Sequence, residues 1–400
     1  MTVAAASPVY FDPFDPEIKK SPHATYKRLR DEAPLFYNEQ HDFYLVSRYE
    51  DVQRLLNDRK SYISGKGMTI QLIKAGAPTP PGLFVNEDAP LHTRHRSAVA
   101  LLFNPGHIAE METKIRDLCA KTFDELVGRD KFDLIHDVGA IVPTQVVGML
   151  VGIPDKDRAK MREDVEAGLQ AEYKQGESTD HSLLMLLAGV FNEYIEWRAK
   201  NPADDDLMTQ LMTLQFTDET GTTRRLTRDE LLMFLVMIAS AGIDTTSMFT
   251  GWAGKTLSDH PDQRQILLDD PSVIPNAVEE ILRFESPSYH VARYSVRPTE
   301  FHGQIVPVES CVVGLQGSAN RDDRVFENPE IFDVKRQIPR TLAFGYGAHH
   351  CLGSALARLE GRIIVEEMLK RFPTWQVDDE NARLTPGFMT RGYESLPIFV

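Results

Sequence analysis

One stretch near the middle of the chain leaves few choices of fold. Thr227-x-x-Glu230 has the form of a capping box, and the residues from Leu231 to Ile243 are almost all apolar. Asp259-His260-Pro261 closes the segment. The pattern predicts one helix of about thirty residues, roughly 45 Å at 1.5 Å per residue. Apolar on every side over its first half, such a helix has to run through the centre of a protein, not along its surface. The apolar run is interrupted by Ser240 and followed by Asp244, so it is too short to span a bilayer. Met1 to Pro16 carries neither a basic n-region nor a long apolar run, so we read the chain as having no membrane anchor and as residing in the cytoplasm.

Inside this helix lies Ser240-Ala241-Gly242-Ile243-Asp244-Thr245-Thr246. Ala241 and Gly242 remove bulk, so a flat group could approach the backbone. Asp244 and Thr245 place an acid and a hydroxyl in apolar surroundings, where an unpaired carboxylate is expensive. One explanation is structural: an interhelical salt bridge for Asp244, with Thr245 bonding back to a carbonyl one turn earlier. The other is chemical, an acid–alcohol pair that handles protons.

A second stretch carries a nucleophile. Phe344-Gly345-Tyr346-Gly347-Ala348-His349-His350-Cys351-Leu352-Gly353 places one cysteine among three glycines, before a helical run from Leu352 to about Arg371. A cysteine at the start of a helix feels the partial positive charge of unsatisfied amides, which favours the thiolate. Glycines let the loop turn sharply and lie close to a flat partner. A thiolate facing a large planar surface suits the axial position of a haem iron. His349-His350-Cys351 also admits a zinc reading, but no CxxC or HxxxH supplies further ligands. Cys119 and Cys311 read as small buried hydrophobes.

Two further pairs stand on helical spacing. His92 and Arg96, at i and i+4 after Pro90, share a face and could hold a carboxylate; Arg94 points away. Glu280 and Arg283, at i and i+3, can pair.

Taken together these segments resemble the cytochrome P450 family. The loop pattern Phe-x-x-Gly-x-[Arg/His]-x-Cys-x-Gly is met by Phe344, Gly347, His349, Cys351 and Gly353. The central pattern [Ala/Gly]-Gly-x-[Asp/Glu]-Thr-[Thr/Ser] is met from Ala241 to Thr246. The resemblance covers essentially the whole chain and is nearest to the soluble bacterial members. It implies a mainly α fold with small β-sheets, and haem b (iron protoporphyrin IX) between the central helix and the Cys351 loop. Cys351 would ligate the iron. His92, Arg96, Arg293 and His349 would bind propionates, with Ala241, Gly242, Phe344, Gly345 and Gly353 close to the macrocycle. Asp244 and Thr245 would supply protons as O2 is activated, and Glu280, Arg283 and Arg336 would form a structural charge network. Leu83, Phe84, Tyr289, His290, Val291 and Met389 would line the substrate pocket.

In chain order, His23–Glu32 reads as a helix, and 35–49 as a hairpin turning at His41-Asp42. Asp51–Asp58 reads as a helix, and Ser64–Pro90 as a long loop over the pocket. Ile108–Val127 and Val138–Val151 are helical, and Arg158–Lys200 divides into two helices near Gly176. Phe216–Arg225 forms a polar hairpin, strands cover Glu300–Ile305 and Ser310–Leu315, and Phe388–Gly392 makes a turn. We expect one domain over 1–400, with a β-rich lobe and a helical core at about 90–285 and 352–371.

Composition narrows the partners. A net charge of −15 argues against nucleic acid. Three cysteines point to a reducing compartment. No flavin or iron–sulfur motif is visible, so electrons would come from a ferredoxin-type donor; the basic cluster of Arg340, His349, His350, Arg358 and Arg362 either steers it or is a set of ordinary solvated helix charges. The substrate is expected to be a lipophilic small molecule such as a terpenoid, fatty acid or steroid, and the enzyme to act as a monomer. A peroxide-driven hydroxylase and a non-enzymatic haem sensor are the rival readings. Asp244-Thr245 speaks against the first, and the lack of a segment left over for an output domain against the second.

Overall fold

The computed structural model describes residues 9–100, 103, 105–158, 160, 161, 163, 167, 181–203, 206–386 and 389–400. Its axis is the helix Arg228–Asp259, begun by the reciprocal cap that Thr227 and Glu230 make with each other's backbone. The first turns bury Leu231, Phe234, Leu235, Val236, Ile238 and Ala239 on all sides, as the sequence requires. This is the one described helix long and apolar enough by composition to cross a membrane, and 56% of its most apolar window is buried inside the protein. Around it pack the helices Ile141–Val151, His181–Lys200, Ile274–Phe284 and Ser354–Arg371.

Glycine sets how near these neighbours come. A Cβ on Gly361 would lie 2.7 Å from the ring of Phe249, and one on Gly254 would lie 2.2 Å from Leu134. Beyond Phe249, toward their N-termini, the central helix and the helix Ser354–Arg371 both border a cavity.

A five-stranded sheet, in the order 35–38, 43–46, 311–314, 291–295, 62–63, closes the other side of that cavity. Strand Cys311–Gly314 runs parallel to Phe43–Val46 and antiparallel to Val291–Ser295, with Val312 opposite Arg293. The period-two alternation of a strand turns Val291 and Arg293 to the cavity and buries Ala292 behind them.

Several expectations need correction. Ser64–Pro90 is not all loop: Ile70–Ala75 is helical, capped by Thr69 Oγ1 accepting from the Leu72 amide and by Gly76 at φ +62°. Glu300–Ile305 is not one strand but a hairpin, Thr299–Phe301 with Gln304–Val306, turning at His302 and Gly303, both of positive φ. The helix after the cysteine begins at Ser354, not Leu352. Ile108–Val127 divides at Met111 into Pro105–Glu110 and Glu112–Asp124. The expected break near Gly176 lies outside the described residues.

Two buried carboxylates organise the floor of the fold. Arg283 Nε and Nη2 donate to Glu280 at 2.7 and 2.8 Å, both side chains having no solvent exposure. Arg336 Nε adds a bond of 3.1 Å, and the remaining Arg283 donors reach the carbonyls of Asn320, Pro329 and Ile331. Glu285 meets Arg391, His23 at 2.9 Å and Arg321 at 3.3 Å. Burial alone would raise its pKa. Arg391, then His23 and Arg321, overcome this and hold the carboxyl well below the usual carboxylate range.

Arg283→Met would leave the buried Glu280 carboxylate with Arg336 alone as its cation and is expected to cost about 3–5 kcal/mol, measured as a fall in the denaturant midpoint. Glu285 binds its proton less readily folded than unfolded, so its stabilisation is present above the ordinary carboxylate range and lost as pH falls through the depressed value. Glu285→Gln should therefore be less stable than the parent at neutral pH, yet lose less stability on acidification, as thermal unfolding across pH 2–7 will measure.

Candidate active site

A cavity of about 980 Å³ opens between the central helix, the Cys351 loop, the 62–96 region and strand Val291–Ser295. Cys351 owes its exposure to this cavity, which it borders. The loop that carries it is fixed at both ends. The Cys351 amide donates to the Phe344 carbonyl at 2.9 Å and the Gly345 amide to the Leu342 carbonyl at 2.9 Å, while Gln316 Nε2 holds the Leu342 carbonyl at 2.9 Å. Gly345 and Gly347 sit at φ +69° and +70°, conformations that explain those two glycines. Gly353 is at φ −82° with open space where a Cβ would be, so its value is room on the cavity side, not a turn.

The expected thiolate is not what the surroundings alone favour. Burial pushes the Cys351 thiol up, opposed by a bond from the Gly353 amide and by the charges of Arg96 and Arg358. With the helix starting three residues later, one amide and two guanidinium groups replace the helix end as the anion-stabilising elements. A bound metal would complete the shift, because coordination requires the thiolate.

Opposite the cysteine, Ala241 is exposed to the cavity, whereas a Cβ on Gly242 would meet Val147 at 3.1 Å. Ala241 thus opens the wall, and Gly242 chiefly admits the helix Ile141–Val151. Thr245 Oγ1 donates to the Ala241 carbonyl at 2.6 Å, so the back-bonded arrangement is the one present. Asp244 Oδ2 accepts from Thr390 Oγ1 at 3.5 Å.

A third group converges at the rim. His92 is buried and stacks on His349, ring centroids 4.0 Å apart. Its Nε2 has no hydrogen-bond partner among the described residues. Arg96 Nη2 donates to the His350 carbonyl, and Arg293 Nη1 to the neighbouring Ala292 carbonyl at 2.9 Å. Burial, then Arg96, lowers His92 to about 4; burial, then Arg293, lowers His349 to about 2; and burial lowers Arg293 to about 10. Asp88, whose charge reaches His92 and Arg293, spends both oxygens on the amides of Ser64 and Gly65. Two buried and two half-buried nitrogen groups, none paired with a carboxylate among the described residues, are a match for a pair of carboxylates, and the donor set therefore fits a haem with its propionates. Among the described residues no three His, Cys, Asp or Glu side chains cluster to hold a bare metal ion.

Leu83, Phe84, Val291 and Met389 line the cavity as expected, joined by Met68, Leu72, Leu232, Met233 and Met237. Tyr289 and His290 do not. The Tyr289 Cβ lies against Gly317, its ring in the cluster behind the sheet, and His290 is buried beside it. The chain kinks at Pro287-Ser288 before the strand begins, and so presents Ser288 and Val291 instead. Phe388 lies outside the described residues, as does most of the expected roof at 167–187.

Three groups were missed. Ser64 Oγ lies 3.2 Å from His349 Nε2, and the charge of Arg59 reaches both His92 and His349; neither carries a local sequence signal. Glu360 is buried and lines the cavity, its Oε2 without a partner among the described residues, and burial pushes its pKa far up. Its signal was legible, since Leu356, Glu360, Ile363 and Ile364 form one buried stripe with an acid in it.

The basic cluster expected to steer a donor is largely neutralised. Arg358 pairs with both oxygens of Glu279 and covers the Phe344 ring, while Arg362 pairs with Glu112 at 2.8 Å and Glu366 at 3.2 Å.

Comparison with known proteins agrees with this geometry. A family model described as cytochrome P450 matches residues 177–392. Cytochrome P450 107B1 of Saccharopolyspora erythraea is 30% identical over 400 residues, covering 96% of each chain. The structure of cytochrome P450 CYP109Q5 from Chondromyces apiculatus superposes with a TM-score of 0.85 at 30% identity, covering 97% of both chains. That of HmtN, a post-tailoring hydroxylase of himastatin biosynthesis, gives 0.80 at 31% identity, covering 94% of this chain and 96% of the other. With a cysteine loop facing a small-residue helix across a cavity rimmed by anion-seeking groups, and likeness along its whole length, this chain belongs to the cytochrome P450 family of haem monooxygenases.

Proposed function

We propose that the chain inserts one oxygen atom from O2 into a lipophilic small molecule, by hydroxylation or epoxidation, using haem b and electrons from an external ferredoxin-type donor. The observation that carries this reading is the asymmetry of the cavity. A single cysteine stands on one wall and an acid–alcohol pair on the other, and basic groups without an anion line the rim. The bound haem supplies oxygen binding and activation, the chemistry that no side chain here can provide.

The protein's own residues do the rest. Cys351 would hold the haem iron through its sulfur, and the Gly353 amide, Arg96 and Arg358 favour its anionic form. His92, Arg96, Arg293 and His349 orient the cofactor through its carboxylates, and these charge-assisted bonds would restore the partners that burial denies them. Thr245 gives up its bond to the Ala241 carbonyl and turns its hydroxyl to the cavity, where it positions a proton received from Asp244. Glu360 stays neutral in its buried setting and is a second holder of a proton on the same cavity. Leu83, Phe84, Leu232, Met233, Met237, Val291 and Met389 exclude water and bind apolar surface.

The cavity has to admit haem and substrate together. Solved relatives include a hydroxylase of himastatin biosynthesis and an EryK mutant in complex with erythromycin B. We therefore place the substrate among bulky lipophilic natural products, broader than the terpenoids, fatty acids and steroids first considered. An external donor is supported by the lack of flavin and iron–sulfur motifs in the sequence. Arg358 and Arg362 do not support it, since both are paired. The reading further places the enzyme in the cytoplasm as a monomer. Asp244-Thr245 favours O2 with a reductase over peroxide as the oxidant.

The reduced, carbon monoxide-treated protein should show the red-shifted Soret band of a thiolate haem, and Cys351→Ser should lose it. A band unchanged by that substitution would sink the assignment. Thr245→Val should keep the band and the substrate-induced Soret shift but divert most consumed electrons to hydrogen peroxide, lowering product per electron at least about tenfold, as product and peroxide assays will determine.

A further inference from the structure

Glu87, His95 and Glu230 form a buried cluster that does not itself line the cavity. It stands behind a segment that does. Residues 83–86 cover one side of the cavity, with Phe84 seated on Phe234 of the central helix, ring centroids 5.1 Å apart. Before this cover, Gly82 lies flat on the first turn of the central helix. It sits at φ +89°, and a Cβ there would meet the Glu230 Cα and carbonyl oxygen at 2.7 Å. After the cover, Asp88 is held by the amides of Ser64 and Gly65, while Glu87 turns to His95.

His95 has no solvent exposure. Its Nδ1 donates to Glu87 Oε2 at 2.8 Å; a carboxylate only accepts, so the hydrogen is on that nitrogen. The other Glu87 oxygen accepts from the Gly82 amide at 3.3 Å, so one carboxylate grips both ends of the cover. Across the ring, His95 Nε2 lies 3.6 Å from Glu230 Oε1. Glu230 in turn caps the central helix through the Thr227 amide and accepts from Arg224 Nη1 and Nη2 at 2.7 and 2.9 Å. The imidazole also packs on the rings of Phe216 and Phe234, centroids 5.3 Å away in each case. Apolar contact alone would let the cover slide along the helix. A buried hydrogen bond to a carboxylate is directional and costly to break, so it fixes the register.

We propose that His95 is a positioning residue for substrate selection. Through Glu87 and Gly82 it holds the 83–86 cover against the central helix, and so sets how firmly the pocket grips a bulky molecule. This deepens the reading of the cavity as a site for bulky lipophilic compounds and rests on it.

The test compares two azoles on the full-length, haem-loaded protein, read as the Soret shift of nitrogen ligation. Clotrimazole is bulky enough to reach the cover, whereas 4-phenylimidazole stays near the iron. His95→Leu should weaken clotrimazole about tenfold and 4-phenylimidazole less than about twofold. His95→Asn, whose amide donates where Nδ1 does, should bind clotrimazole within about threefold of wild type. Gly82→Ala alters no charged group, yet should repeat the selective loss, because its Cβ pushes the cover off Glu230. Equal weakening of both azoles would assign His95 to the fold or the rim alone and overturn the proposal. Unchanged clotrimazole binding in His95→Leu would do the same.

Amide hydrogen exchange gives a readout that needs no haem ligand. Peptides spanning 80–87 should exchange at least about fivefold faster in His95→Leu and Gly82→Ala, and near the wild-type rate in His95→Asn. Peptides from 234–257 should stay protected. Wild-type exchange over 80–87 in both His95→Leu and Gly82→Ala would refute the proposal whatever the azoles do. Should His95→Leu fail to fold, Gly82→Ala and His95→Asn carry both readouts. Failure of 4-phenylimidazole to shift the wild-type Soret band would count against the haem reading instead, leaving the exchange measurement to decide the role of His95.

Discussion

The site exists because two helices touch at one place and part at another. Gly361 lies so close to Phe249 that any side chain there would collide with the ring, and this contact joins the central helix to the helix that follows Cys351. Toward their N-termini both helices line the cavity, with Ala241 on one wall and Cys351 to Leu356 on the other. Ala241 and Gly353 on these walls are small, so the space is kept open by what is absent from the side chains as much as by what is present. An enclosed, apolar gap also strengthens every charge interaction placed within it.

Around that gap the electrostatics divide cleanly. Acids that do not line the cavity, Glu280 and Glu285, are matched by arginines and hold elements together. At the cavity and its rim, His92 Nε2 and Glu360 Oε2 have no hydrogen-bond partner, and neither His349 nor Arg293 is paired with a carboxylate, among the described residues. Buried polar groups without partners are costly in a folded chain. Their concentration here is the physical mark of a place where something else binds.

Much of this was legible in the chain. The capping box and the apolar run fixed the central helix nearly to the residue, because capping and all-round burial are local or compositional signals. Helix His23–Glu32 and the hairpin at His41-Asp42 were equally readable. The cysteine loop, Asp244-Thr245 and the pair His92/Arg96 stood in local motifs. Misreadings came where a local rule was overlooked or overruled. The Thr69 cap concealed a helix in an apparent loop. Tyr289 was assigned to the pocket from its segment, yet the kink at Pro287-Ser288 turned its ring behind the sheet.

The sequence by itself determined which residue types could do chemistry and on which helical faces they lay, because spacing along a regular element is a local geometric fact. Only tertiary structure decided which of them meet. Ser64 comes beside His349, Arg358 is consumed by Glu279, and Arg391 grips the Lys19 carbonyl. Each of these joins residues far apart in the chain, and such encounters are set by how elements pack, a property that no short window of sequence contains.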